Sequence, residues 1–272
     1  MPNWNRLQLR DSAGQGEETL VYLPGLHGDW TLASRFKAAL GGRVRFLDIT
    51  YPRTVEWTLR DYAGAVLSAL EERGTKSGWL LAESFSSQVA WSMIEQTREK
   101  QPGTGFEVRG VILAGGFVKY PIPFVVGLAQ GVNRRIPMWA LQFLCRGYAA
   151  CARLRHRRAP ETLACINQFA RYRTEEADRQ AILHRYALIS GNDPRALAEE
   201  TRFPVYLLAG FFDPIVPWMF VHPWLKRNCP GYRGWKLIWR AHHNVLSSAP
   251  RASAEQVLAW MNRPGPSANP ER

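Results

Sequence analysis

The feature that most constrains the fold is a regular alternation of short apolar runs with longer segments of helical spacing. Six runs rich in apolar and β-branched residues predict strands, at residues 18–23, 43–49, 78–82, 108–114, 205–209 and 235–239. Between the first four runs, residues 31–40, 59–72 and 85–100 place apolar side chains at helical spacing. This alternation predicts the α/β class, with a mostly parallel sheet flanked by helices.

The alternation stops between residues 117 and 202. This segment has no strand-like run and consists of helical stretches separated by prolines and by the turn at residues 191–194. As an insertion after the fourth run, it would lie over the carboxyl ends of the strands, where open α/β sheets bind their ligands. We therefore predict an α/β core of residues 1–117 and 203–263, a helical cap of residues 118–202 and a disordered tail of residues 264–272.

Composition and charge narrow the class of protein. With 272 residues and 46% hydrophobic residues, the chain is long enough for one large domain with a full core. The sequence begins without a signal-like segment, and no apolar run reaches the ~18 residues of a membrane span. It therefore predicts a cytoplasmic protein without a transmembrane segment. The net charge of +12 brings no nucleic-acid-binding signature with it, so we read it as a solubility feature.

The cysteines give no metal-binding pattern. No pair of them has C-x-x-C spacing, which favours buried thiols over a metal site. The four are Cys145, Cys151, Cys165 and Cys229.

The first motif with chemical meaning lies where the third predicted strand passes directly into a helix, with Ser84 at the junction. This is the setting of a nucleophile elbow, in which a strained turn lifts the serine hydroxyl above the sheet. Ala82 and Ser86, two positions before and after, are small enough for the backbone to pass. An ordinary turn with a capping serine is the alternative. Ser86 and Ser87 offer further hydroxyls, but only Ser84 lies at the turn.

A glycine-containing loop at residues 24–30 follows the first predicted strand. Such a loop can point backbone N–H groups into a cleft, and Leu26, just after Gly25, would supply one oxyanion donor. The second candidate donor is the N–H of Phe85, at the amino end of the next helix. An ordinary βα turn is the alternative. His27 in the same loop is a candidate substrate contact, although surface or capping histidines are commoner.

Two further residues follow the last two predicted strands. Asp213 comes after the fifth, and His243 comes after the sixth. A carboxylate in that place can hold a histidine on the next loop in one tautomer and stabilise its charged form. His242 is an alternative base, and an Asp before a proline is also a common turn starter. Asp48, at the end of the second strand, is a rival acid that the order of elements disfavours.

These motifs resemble those of the α/β-hydrolases, in particular a bacterial subgroup with the elbow E-S-F-S and a histidine loop of the form x-P-H-x-x-L. The chain order Ser, Asp, His is the order that this fold imposes. The resemblance covers residues 20–116 and 195–260. Pro24 stands where many relatives have histidine, and His242 stands where they have proline. The second departure leaves the choice between the two histidines open.

The resemblance implies a function as well as a fold. It implies a serine hydrolase that cleaves a carboxylic ester or thioester through an acyl-enzyme, with no cofactor and no metal. A non-catalytic ligand- or partner-binding relative and an acyltransferase are the alternatives. Because all three triad positions are filled, the sequence favours an enzyme. The implied roles are nucleophile for Ser84, acid for Asp213, base for His243, and oxyanion-hole donor for the N–H groups of Leu26 and Phe85.

The predicted cap combines apolar residues with a basic stretch. Such a cap suits a small-molecule acyl substrate with an apolar chain, and contact with an anionic membrane surface is compatible with it. The alternative is a lid whose apolar face packs on the core and whose arginines are solvated. The residues concerned are Phe117, a candidate substrate contact, and Phe124, Val125, Val126, Leu128, Trp139, Leu141, Phe143, Leu144, Arg146, Arg153, Arg155, Arg157 and Arg158. The sequence of neither the cap nor the core predicts an oligomeric state.

Overall fold

A computed structural model describes residues 4–137 except 15, 102 and 104, the single positions 140, 143 and 147, and residues 175–263. The predicted disordered tail lies outside these residues. So do Cys145, Cys151, Cys165 and the basic stretch from Arg146 to Arg158. Cys229 is a buried free thiol, and burial raises its pKa.

Seven strands form one sheet, in the order β1-β3-β2-β4-β5-β6-β7. The strands are β1 (Gln8–Ser12), β2 (Thr19–Leu23), β3 (Arg45–Thr50), β4 (Ser77–Glu83), β5 (Glu107–Ala114), β6 (Val205–Phe212) and β7 (Tyr232–His242). Strand β1 runs antiparallel to β3, and all other neighbours are parallel. The predicted, mostly parallel sheet is confirmed. Strand β1 was not foreseen, because its residues are mostly polar and form the edge of the sheet.

Helices cover both faces of this sheet. They are α1 (Ser34–Leu40), α2 (Leu59–Glu72), α3 (Ser86–Glu99), α4 (Pro123–Arg135), α5 (Glu176–Gly191), α6 (Arg195–Glu200), α7 (Trp218–Asn228), α8 (Val245–Ser248) and α9 (Pro250–Met261). Helices α1 and α9 contribute to one hydrophobic cluster, while α2, α3 and α7 contribute to the cluster on the other face. Strands β2 and β4 lie between these layers, and for that reason read as nearly continuous apolar runs.

The predicted helices agree with the structure in position, with one difference in form. The segment at residues 31–40 begins as a short 3-10 turn, Thr31–Ala33, before α1. The helix predicted at residues 59–72 coincides with α2, where Thr58 and Asp61 form a reciprocal capping box. Sequence therefore located α1, α2 and α3, whereas α7 and α9, which also cover the sheet, were not predicted.

The described part of the predicted cap is helical and is tied to the core by polar contacts. Arg53 forms ion pairs with Glu175 at 2.6 Å and with Asp178 at 2.8 Å. His184 Nε2 lies 2.7 Å from the carbonyl oxygen of Trp57. These contacts fix α5 above the loops that follow β3. The division into core and cap stays a prediction, and no described helix has the length and hydropathy to cross a membrane.

The parallel strands bring three loops together at one end of the sheet. Strands β4, β6 and β7 end at residues 83, 212 and 242, and Phe212 pairs with His242 across the last two strands. The register shifts just before this pair, where a side chain on Gly210 would come within 2.4 Å of the His242 carbonyl oxygen. Only glycine fits this close approach. Ser84, Asp213 and His243 therefore emerge at the same end of the sheet.

Candidate active site

Ser84 occupies a strained turn between β4 and α3. Its φ of 50° is the only positive φ of a non-glycine residue in the described part of the chain. Such a conformation costs about 1–3 kcal/mol and persists only where the surroundings enforce it. Here the Ser84 N–H donates to the Ala114 carbonyl oxygen at 3.0 Å, and the Ser84 carbonyl oxygen accepts from the Ser87 N–H at 3.0 Å and Oγ at 2.7 Å. The turn is thus held on both sides.

A continuous chain of hydrogen bonds joins the serine to the acid. His243 Nε2 lies 2.8 Å from Ser84 Oγ, and His243 Nδ1 lies 2.9 and 3.1 Å from the two carboxylate oxygens of Asp213. The Asp213 side chain is only 1% exposed. A nitrogen facing a carboxylate carries the proton, so Nε2 is left to accept the hydrogen bond of the serine hydroxyl. This is the tautomer in which the imidazole can take a proton from Ser84.

Backbone groups and one tyrosine fix the carboxylate. Asp213 Oδ1 accepts hydrogen bonds from the N–H groups of Ile215 and Val216, both at 2.9 Å. The Tyr120 hydroxyl donates to the Ile215 carbonyl oxygen at 2.5 Å. Burial, and then the charge of Asp213, raise the pKa of Tyr120 to about 12, so this hydroxyl keeps its proton. Nothing in the sequence marked Tyr120, which lies 95 residues away from its partner.

Changing Tyr120→Phe removes this single hydrogen bond. We expect the free energy of unfolding to fall by about 1 kcal/mol, because the partly buried hydrogen bond to the Ile215 carbonyl oxygen is lost. Urea unfolding followed by tryptophan fluorescence measures the change. Tyr186→Phe is the matched control, since the hydroxyl of this tyrosine makes no hydrogen bond to any described residue. An equal loss in both variants would contradict the role of the Tyr120 hydroxyl.

The loop after β2 lies against the serine. A side chain on Gly25 would place its first carbon 3.5 Å from Ser84 Cβ, and the Gly28 N–H closes a turn onto the Gly25 carbonyl oxygen at 2.9 Å. Within the described residues, no group accepts a hydrogen bond from the N–H of Leu26 or Phe85. Both of the predicted oxyanion donors therefore belong to segments that adjoin the serine and remain available to a ligand.

Sequence reasoning missed Arg185, a buried arginine of α5 that is 2% exposed. Its Nη1 donates to the Leu26 carbonyl oxygen at 2.7 Å, and its Nη2 donates to the Pro52 carbonyl oxygen at 3.0 Å. The guanidinium lies 5.7 Å from the ring centroid of Tyr51 and 6.0 Å from that of Phe85. No carboxylate of the described chain forms an ion pair with it. A helix of the predicted cap thus holds the glycine loop through a buried cation.

The alternative base and the rival acid lie elsewhere. His242 ends β7 with an exposed side chain, whereas the adjacent His243 is buried against Ser84. Asp48 in β3 accepts hydrogen bonds from Arg10 at 2.7 and 3.0 Å and from Lys37 at 3.1 Å. The geometry favours His243 over His242, the choice that the sequence left open, and Asp213 over Asp48, as the order of elements predicted.

The neighbouring serine hydroxyls are engaged in structure. Ser86 Oγ lies 2.8 Å from the Tyr51 hydroxyl and donates to the carbonyl oxygen of Pro24, while Ser87 Oγ bonds the Ser84 carbonyl oxygen. Neither of them has a histidine nitrogen as its partner. Ser84 is the hydroxyl at this turn that faces a base.

The remaining predicted residues are buried around the site. His27 Nε2 lies 3.7 Å from a carboxylate oxygen of Glu83, which accepts a hydrogen bond from the Tyr22 hydroxyl at 2.5 Å. Burial and the Glu83 charge raise the pKa of Tyr22 well above its usual value. Phe117 packs edge-on against Tyr120, with ring centroids 5.2 Å apart. The substrate contacts of His27 and Phe117 stay predictions.

Solved structures resemble the whole described architecture. No protein-family model and no curated protein matches the sequence. A malate-bound thermophilic esterase from Thermogutta terrifontis matches over 94% of this chain and 92% of its own, with 17% identity and a TM-score of 0.72. An α/β-hydrolase enzyme from a Medee basin deep-sea metagenome matches over 97% and 96%, with 12% identity and a TM-score of 0.74. This chain has the α/β-hydrolase fold.

A third structure extends this likeness to a differently named enzyme. The enol-lactonase from Burkholderia xenovorans covers 94% of this chain and 96% of its own, with 18% identity and a TM-score of 0.72. At such identities the likeness establishes the fold alone. The α/β-hydrolase fold predicted from the order of the motifs is therefore confirmed, and the chemistry has to be argued from the site itself.

Proposed function

We propose that this α/β-hydrolase-fold protein is a serine hydrolase that cleaves a carboxylic ester or thioester through an acyl-enzyme. The observation that carries the proposal is the connection from Ser84 Oγ through both nitrogens of His243 to the carboxylate of Asp213. A serine that only caps a helix needs neither a strained backbone nor a histidine on its hydroxyl. The combination is what a nucleophile and its general base require.

The first half of the reaction forms the acyl-enzyme. Ser84 Oγ attacks the carbonyl carbon of the substrate while His243 Nε2 accepts the hydroxyl proton. The carbonyl electron pair moves onto oxygen, where the N–H groups of Leu26 and Phe85 stabilise the negative charge. One such donor is worth about 2.7–4 kcal/mol of transition-state stabilisation. The carbonyl then re-forms, the leaving oxygen or sulfur departs, and His243 returns the proton to it.

The second half releases the acid. A water molecule gives a proton to His243 as its oxygen attacks the acyl carbon, and the same two N–H groups hold the second oxyanion. When the tetrahedral species collapses, Ser84 Oγ leaves and takes the proton back from His243. Asp213 keeps the imidazole in one tautomer and stabilises its charged form throughout. The steps use only groups of this chain and water, and need no metal or cofactor.

Arg185 supports the part of the proposal that concerns the oxyanion site. Its contact with the Leu26 carbonyl fixes the peptide next to one proposed donor. A buried cation without a described carboxylate partner also contributes positive potential in a low-dielectric region, where negative charge develops during the reaction. The proposed oxyanion site is thus organised before substrate binds.

The substrate class follows from the same chemistry. The similar structures are named as esterases and as an enol-lactonase, and all these names denote attack on an ester carbonyl. We carry over a small-molecule ester, with the apolar acyl chain that the sequence of the predicted cap suggests. Cytoplasmic location and the lack of a nucleic-acid partner stay predictions.

A fluorophosphonate probe tests the proposal, because only an activated serine is phosphonylated quickly. We expect one adduct on the folded protein, and peptide mass mapping places it on Ser84. Heat-denatured protein is the control and stays unlabelled. A folded protein, shown by its circular dichroism melt, that takes no label would overturn the hydrolase proposal and favour a non-catalytic ligand-binding protein.

A further inference from the structure

An exposed apolar surface lies beside the candidate site, where β6, β7 and α7 meet. Six of its eight members are exposed, and the other two, Phe211 and Trp218, are half-buried beneath them. We call this surface the aromatic edge: Phe211, Phe212, Ile215, Trp218, Met219, Phe220, Trp235 and Trp239. Phe212 and Trp239 are 60% and 63% exposed. Because Asp213 follows Phe212 directly, the aromatic edge adjoins the acid end of the candidate triad.

The rings of the aromatic edge pack against one another. Ring centroids lie 4.0 Å apart for Phe211 and Trp239, 6.1 Å for Phe212 and Trp239, and 5.4 Å for Trp218 and Trp235. Phe211 and Trp218, 6.2 Å apart, join these groups into one layer. The surface is therefore already ordered, and little side-chain entropy is lost when another apolar phase covers it.

The chain around the aromatic edge is basic throughout. Residues 214–254 contain no Asp or Glu, and their six basic residues are Lys226, Arg227, Arg233, Lys236, Arg240 and Arg251. Lys236 and Arg240 follow Trp235 and Trp239 directly on β7 and are exposed. No ion pair joins either of them to a carboxylate in the described residues. Successive side chains of a strand point to opposite faces, so Lys236 and Arg240 flank the aromatic edge from the other face of β7, the edge strand.

We propose that the aromatic edge docks the protein on an anionic lipid bilayer. Tryptophan favours the interface between headgroups and acyl chains, because its apolar ring and its polar N–H are both accommodated there, and phenylalanine enters the apolar boundary. Each basic residue next to an anionic bilayer strengthens binding about fivefold. Ile215 and Met219 would enter the apolar layer, while the long side chains of Lys236 and Arg240 would reach the phosphate groups from the other face of the edge strand.

Two other occupants fit the surface less well. Strand β7 pairs only with β6 among the described strands, so a second copy could add its own edge. Such pairing would bring like charges of Arg233, Lys236 and Arg240 together, and charged edge strands oppose it. A single-stranded nucleic acid would use the rings for stacking, but Ile215 and Met219 offer no ring. A lipid surface would contact both the rings and the aliphatic side chains of the aromatic edge.

The consequence concerns the route of the substrate and rests on the proposed function. Docking would hold the candidate triad beside a bilayer in which an apolar ester dissolves. This matches the apolar acyl chain proposed above. The docking itself needs no turnover, so it is measured equally well in Ser84→Ala, and a failure of docking is distinguishable from a failure of catalysis.

Co-sedimentation with vesicles tests the docking with the full chain. We expect binding to vesicles of equal parts phosphatidylcholine and phosphatidylglycerol, weakened by salt, and little binding to phosphatidylcholine alone. The pair Trp239→Ser and Phe220→Ser should weaken partitioning by at least about tenfold. The pair Lys236→Gln and Arg240→Gln should weaken it by about 25-fold. Equal melting temperatures and fluorophosphonate labelling show that these variants are folded.

Matched controls lie outside the aromatic edge. Val55→Ser changes an exposed apolar residue and Arg73→Gln an exposed basic one, and both should bind as the wild type does. Failure to bind anionic vesicles overturns the proposal, as does equal binding by all variants. Light scattering that shows a dimer lost in Trp239→Ser would assign the surface to a second copy. Tighter, Trp239-dependent binding of single-stranded DNA would assign it to nucleic acid.

Discussion

The variant Ser84→Ala should lose nearly all hydrolysis of a p-nitrophenyl ester, with kcat reduced by about 10⁴–10⁶-fold. The reason is that alanine removes the attacking oxygen, which His243 contacts at 2.8 Å, while leaving the oxyanion donors in place. His243→Ala should cost nearly as much, because nucleophile and base act as one unit. Steady-state rates at saturating substrate give the comparison.

The control for this result is the adjacent histidine. His242→Ala changes an exposed residue at the end of β7 and should leave kcat within about threefold, as surface changes commonly do. The melting temperature of Ser84→Ala should stay close to that of the wild type, since the strained turn keeps its backbone hydrogen bonds. Substantial turnover by a folded Ser84→Ala protein, or a loss in His242→Ala alone, would contradict the proposed triad.

The parts of this site that sequence could predict are those attached to strand ends. Ser84, Asp213 and His243 each come just after a strand that contains an apolar run, and parallel strands bring their carboxyl ends to one edge. Local pattern therefore predicts their approximate position before any distance is known. What pattern could not decide was His242 against His243. That choice depends on the register shift near Gly210, which no periodicity reveals.

Sequence could not predict two kinds of feature. One is a contact between residues far apart in the chain, and the other is the exposure of a strand at the edge of the sheet. Arg185 reaches Leu26 across 159 positions, and Tyr120 reaches Ile215 across 95. Both residue types are ordinary members of a helix or a loop. The run at residues 235–239 reads as a strand, but its exposure follows from its place at the edge of the sheet. Edge and centre differ in neighbours rather than in composition.

The second large expected effect is the loss of activity when Arg185 is replaced. Its effect on stability is smaller, because two contributions to the free energy of unfolding oppose each other. Its guanidinium satisfies the carbonyl groups of Leu26 and Pro52, and an orphaned buried acceptor costs about 1–3 kcal/mol. Against this, a buried cation without a described carboxylate partner carries a desolvation penalty that an apolar side chain removes. Arg185→Met should therefore change stability less than the loss of three hydrogen bonds, to Leu26, Pro52 and the Tyr62 hydroxyl, suggests.

The effect of Arg185→Met on kcat is not compensated in this way. In Arg185→Met the loop at Leu26 loses its fixed position, so one proposed oxyanion donor no longer points at the developing charge. We expect kcat to fall by about 10–100-fold, since complete loss of a donor costs about 10²–10³-fold. KM should stay within about twofold, because the contact matters when charge develops and not when the substrate binds. Rates over a range of substrate concentrations separate the two constants.

The matched control lies six residues earlier on the same helix. Arg179 bonds Glu176 and the Ile136 carbonyl oxygen, both in the predicted cap, so Arg179→Met should leave kcat unchanged. Arg185→Lys keeps the charge but has one nitrogen for two separated carbonyls, and should recover only part of the rate. A purely structural arginine would instead lower the melting temperature in Arg185→Met at constant kcat. That outcome would remove Arg185 from the proposed oxyanion site and leave it as a tie between cap and core.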